Sequence, residues 1–136
     1  MNDILREPAV GPTLWQGNRF ASDLGWIYEL SNADISDLED GLAVVRLSGV
    51  KPIGFTRESF PLRAFGETIE GVLNEVQNGR GFAIFRGLPV ERYERADLEM
   101  IYWAIGAYMG QVISQNGIGD LIAEVTDKGA SYDNAV

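Results

Sequence analysis

The chain has 136 residues, 46% of them hydrophobic and 23% charged. That is enough apolar content for one domain with one modest core, and too much for a disordered chain. A net charge of −9 excludes nucleic acid as a partner, since binding phosphate backbones needs clustered Lys and Arg.

The counts of two residue types narrow the chemistry further. With no cysteine in the chain, disulfides, thiolate catalysis and zinc–thiolate sites are ruled out. Zero histidines exclude a Ser-His-Asp triad, and any His-based metal site made by this chain alone. Catalysis by carboxylate, Lys or Tyr stays open. No apolar run approaches a bilayer span. Met1-Asn2-Asp3-Ile4-Leu5-Arg6 lacks a signal pattern. The expected location is therefore cytoplasmic, with no membrane partner.

Residues 1–30 read as an irregular lead-in, punctuated by Pro8, Gly11, Pro12, Gly17 and Gly25. Trp15, Phe20, Trp26 and Tyr28 are costly to leave wet, so the segment is expected to lie anchored across a packed body. Ser31, with Asp34 three residues on, opens a first helix as a capping pattern. Ile35, Leu38, Leu42 and Val45 give it one apolar stripe, and Gly49 stops it. Asp34, Asp37, Glu39 and Asp40 read as a solvated face near the positive end of the helix dipole. They lack calcium-loop spacing.

Lys51-Pro52-Ile53-Gly54 is a turn, and Phe60-Pro61-Leu62 leads into a second helix. Its stripe is Phe65, Ile69, Val72, Leu73 and Val76, and Asn78-Gly79 ends it. Phe82 to Phe85 reads as a short buried strand between glycines and Pro89. The glycines precede that strand instead of following it, so neither phosphate-loop nor dinucleotide pattern is met. A third helix starts near Arg95. Leu98, Ile101, Ile105 and Tyr108 hold its spacing, and Gly110 is expected to end it. Tyr102, Trp103 and Met109 broaden its apolar surface, which predicts a well-buried helix. Gln111 to Ser114 and Leu121 to Val125 read as strands flanking the polar turn Gln115-Asn116-Gly117-Ile118-Gly119-Asp120. Thr126 to Val136 is a polar tail. Three helices thus precede only about three short strands, fewer than they are shaped to cover.

The ordered set of stretches resembles the taurine dioxygenase-like (TauD/TfdA) family, near its gamma-butyrobetaine hydroxylase-like members. The stretches are Trp26 to Ser31, Asn78 to Phe82, Arg86 to Pro89, Tyr102 to Gly106, Met109 to Asn116, Gly119 to Ile122 and Val125 to Asp127. The resemblance implies an α+β fold. Residues 1–136 would be a single partial domain, the N-terminal helices and first strands of an incomplete double-stranded β-helix (jelly-roll, clavaminate synthase-like). It also implies Fe(II) and 2-oxoglutarate as cofactors for hydroxylation of a small molecule. The family's iron sits on a His-x-Asp/Glu motif and a later His, and none of these positions occurs here. No catalytic or metal-ligating residue is assigned, and the chain alone is expected to be inactive. Gln115 and Asn116 are the substrate-side candidates, because in the family this turn approaches the pocket. Their bland alternative is satisfying backbone groups within the turn. The competing reading is a non-catalytic binding or assembly module, completed by a partner or by homo-oligomerisation at open sheet edges. An unrelated small α+β domain using carboxylates or Tyr is the third.

Overall fold

A computed structural model describes residues 7–123, 125–127 and 129. Its regular elements are β1 (Ile27–Glu29), α1 (Asn32–Ser48), α2 (Ala64–Asn78), β2 (Ile84–Arg86) and α3 (Arg95–Met109). Short 3-10 turns lie at Gly17–Ala21, Pro52–Gly54 and Val90–Arg92. The architecture is a mixture of helices and small strands. β1 and β2 pair in parallel, with Ile27 opposite Ile84 and Glu29 opposite Arg86.

α1 begins as its sequence requires. The Ser31 hydroxyl accepts from the Asp34 amide, and the Asp34 carboxylate accepts from the Ser31 amide at 2.8 Å. This reciprocal cap satisfies two amides that the first helical turn leaves without intrahelical partners. Gly49 closes the helix at φ 69°, a left-handed conformation that costs a glycine little. Ile35, Leu38, Leu42 and Val45 are all buried.

The acidic face of α1 is not simply solvated. Asp34 and Asp37 are buried. The Asp37 carboxylate accepts from the backbone amides of Arg63 (2.7 Å) and Phe65 (3.1 Å). Arg63 heads α2 and offers no side-chain cap of its own. Asp37 therefore caps a helix 26 residues further along the chain, and periodicity cannot reveal a partner so distant. A third buried carboxylate, Asp97 in the first turn of α3, meets Arg46 in the last turn of α1 at 2.5 Å.

The core gathers Leu38, Leu42, Val45, Phe60, Phe65, Ile69, Ile101, Ala104 and Tyr108 where the three helices meet. Phe60 needs Gly41 opposite it, because a Cβ there would sit 2.2 Å from the Phe60 ring. Tyr108 closes the end of this core. Its hydroxyl accepts from the Leu62 amide at 2.7 Å, and Arg57 lies over its ring at 4.9 Å.

Two expectations about strands change. The lead-in contributes β1, which residues 1–30 were expected to lack. The strand expected to be buried at Phe82 to Phe85 lies at Ile84–Arg86 instead, with only Phe85 partly buried between exposed Ile84 and Arg86. A two-stranded sheet has one covered face, so Phe85 turns inward onto Phe65 while Ile84 stays 47% exposed. Phe82 joins Trp15, Phe20 and Trp26 in an edge-to-face cluster, with ring centroids 5.2 to 6.0 Å apart. These contacts anchor the lead-in, and Arg80 adds an ion pair to Asp23 at 3.2 Å.

Candidate functional site

α3 carries two apolar sides. Ile101, Ala104 and Tyr108 face the core. Beside the helix, a groove of about 330 Å³ is lined by Tyr102, Trp103, Ile105, Gly106, Met109 and Gly110. Gln111, Val112, Ile113, Gln115, Leu121 and Ile122 form its other wall. The helix is thus less buried than its residues led one to expect. Tyr102 is 67% exposed, while Trp103 and Met109 are half-buried. Gly110 ends α3 as expected, at φ 163° in extended backbone.

The wall opposite the helix is a loop. Gln111 to Ser114 and Leu121 to Ala123 make no ladder among the described residues, and Glu124 lies outside them. The amide of Gln115 donates to the carbonyl of Asp120 at 2.6 Å, which closes the turn but extends no strand. A single hairpin arm without a neighbouring strand is marginal in water, which accounts for the missing ladder. Ile113 is 71% exposed and Ile118 86%. The tail from Ala130 to Val136 also lies outside the described residues.

The two substrate-side candidates part company. Gln115 lines the groove, and its amide nitrogen donates to the Ile113 carbonyl at 2.9 Å. Asn116 is turned into the turn. Its Oδ1 accepts from the amides of Ile118 (3.2 Å) and Asp120 (3.0 Å), while its Nδ2 donates to the Asp120 carboxylate at 2.7 Å. Tyr102 and Trp103, expected from the sequence to be part of a buried helix surface, line the groove instead. The signal was present, since no charged residue occurs between Glu99 and Asp120.

The residues present do not fit an iron site. The chain has no histidine. Among the described residues, no three carboxylates gather closely enough to hold a metal ion. Nor does the α3 groove offer a cation for the carboxylates of 2-oxoglutarate, because its lining is uncharged. No helix among the described residues is long and apolar enough to cross a membrane.

No family model matches the chain. Its sequence is similar to FR-33289 synthase of Streptomyces rubellomurinus, at 25% identity over 129 residues, covering 95% of this chain and 38% of that protein. It is also similar to a taurine hydroxylase-like protein of Stachybotrys chartarum, at 27% identity over 96 residues. That match covers 71% of this chain and 25% of the fungal protein. The chain spans less than two-fifths of the length of either relative. These similarities support a taurine dioxygenase-like relationship loosely.

Proposed function

We propose that this chain is the N-terminal, helix-bearing part of an Fe(II)/2-oxoglutarate-dependent oxygenase that hydroxylates a small molecule. The observation that carries the reading is a similarity covering 95% of this chain but only 38% of a synthase. The second relative, a taurine hydroxylase-like protein, points to the same chemistry. The iron ligands and the carboxylate-binding cation would then belong to sequence beyond these 136 residues. Strands completing a jelly-roll would belong there too, and the whole enzyme would work in the cytoplasm. The 136-residue chain by itself is inactive on this reading. The test is succinate formation from 2-oxoglutarate by the purified chain with Fe(II) and oxygen. The expected yield equals that of the protein-free control, and succinate above it overturns the inactivity.

One observation favours a second reading, a non-catalytic assembly module. Among the described residues, the groove beside α3 is apolar, uncharged and walled on its far side by a loop without a ladder. An apolar groove of this kind ordinarily finds a covering surface.

A further inference from the structure

The groove beside α3 has one wall set in a helix and one carried by a loop, so its shape depends on how the chain turns out of α3. That junction has little local support. Gly110 leaves the helix in extended backbone, and a Cβ there would meet nothing within 4 Å. α3 has no basic residue in its last turn, so its own sequence does not answer the negative end of its dipole. The Gly106 carbonyl accepts from the Gly110 amide at 3.0 Å. The Tyr108 carbonyl belongs to the last turn, whose acceptors lack intrahelical donors. Its donor is Nη2 of Arg57 at 3.0 Å, 51 residues earlier in the chain.

We propose that Arg57 is a positioning residue for the groove: it caps the C-terminus of α3 and fixes the direction in which the Gln111 to Gln115 wall departs. Three contacts hold the guanidinium at that point. Nη1 donates to Glu70 on α2 at 2.5 Å, Nη2 donates to the Tyr108 carbonyl, and the guanidinium carbon stands 4.9 Å from the centre of the Tyr108 ring. The ring has little room to retreat. A Cβ at Gly66 would lie 3.1 Å from its Cε1, and its hydroxyl is held by the Leu62 amide. Arg57 also lines a second cleft, which shares Trp103, Gly110, Gln111, Val112 and Leu121 with the groove. The loop is thus the partition between two clefts, and Arg57 stands at its root. Arg57 and Glu70 are both half-exposed, so their ion pair by itself adds little stability. What the planar fork adds is geometry, since it meets two acceptors and a ring at once and a lysine ammonium does not. The inference is independent of the oxygenase reading, because the exit of α3 is held or free whatever the relatives catalyse.

The test is nuclear magnetic resonance of the full 136-residue chain, unaltered and as Arg57→Lys, Arg57→Gln and Glu70→Gln. Amide exchange and residual dipolar couplings are measured on each. Both Arg57 variants are expected to speed exchange of the Gly110 amide by about tenfold, the loss of one hydrogen bond to a charged group. Amides in the middle of α3 should stay within about twofold. The couplings of Gln111 to Gln115 should change relative to those of α3. Glu70→Gln keeps an acceptor for Arg57 and should leave both readouts as they are. An unchanged Gly110 rate in the Arg57 variants overturns the proposal. So does a rise of the same size throughout α3, which is a general loss of stability. Couplings of Gln111 to Gln115 already averaged to near zero in the unaltered chain overturn it too, because the wall then has no fixed direction. If Glu70→Gln reproduces the Arg57 variants, the ion pair and not the cap holds the junction, and the proposal fails.

Discussion

The two sides of α3 are built from similar residues and meet opposite fates. Ile101, Ala104 and Tyr108 are sealed against α1 and α2, and the Tyr108 hydroxyl is held by the Leu62 amide. Tyr102, Ile105 and Met109 line an open groove whose far wall is a loop. Burial on the inner side is enforced by partners that carry their own caps and ion pairs, namely Asp37 on α2 and Arg46 on Asp97. The outer side has no such partner among the described residues. Apolar content alone does not order a region; a second surface must meet it.

Substitutions that strike the inner side should have the largest effects. Phe65→Ala empties a fully buried site between α1, α2 and β2. It is expected to cost about 3–5 kcal/mol, enough to unfold a marginal domain. Chemical denaturation followed by circular dichroism measures it. Gly41→Ala drives a methyl into the Phe60 ring. The overpacking costs about 1–3 kcal/mol, against about 1 kcal/mol gained in helix propensity. The expected net effect is a lower denaturation midpoint. Asp37→Ala leaves two amides of the α2 entry without their acceptor. It should cost about 1–2 kcal/mol, with amide exchange rising first at Arg63 and Phe65.

The outer region should respond far less. Asn116→Ala dismantles the internal hydrogen bonds of the 115–120 turn. Global stability should move by about 0.5 kcal/mol at most, because the loop has no part in the helical core. A loss of several kcal/mol would mean that the two regions unfold as one. The smallest effect concerns Tyr93, whose phenol donates to Glu39 at 3.3 Å. Burial and then the neighbouring Glu39 charge raise its pKa above 10.0. A raised folded-state pKa favours the neutral phenol, so the contribution is full below pH 10 and fades as pH rises through the folded value. Tyr93→Phe should flatten that alkaline decline in a pH series of denaturation midpoints.

Much of the inner region is legible in the sequence. Ser31, Asp34 and Gly49 define α1 through local chemistry, and the stripes of α1 and α2 name most of the core. What sequence spacing could not supply are pairings between distant residues. Asp37 looked like a solvated acid because its partners, Arg63 and Phe65, lie on another helix. β1 was overlooked because three residues carry too little pattern, and only β2 gives them a ladder. The Gln111 to Ser114 and Leu121 to Ala123 segments have strand composition but, among the described residues, no strand to pair with. Of the two candidate site residues, the family resemblance singled out both. The turn's hydrogen bonds then distinguish a groove-lining Gln115 from an inward-turned Asn116.

The most direct test of the oxygenase reading is to determine the reading frame beyond the codon for Val136 at the source locus. The account predicts continued coding into a His-x-Asp or His-x-Glu and a later His, supplying the ligands this chain lacks. A stop codon directly after Val136 would contradict it and make the assembly reading the leading one.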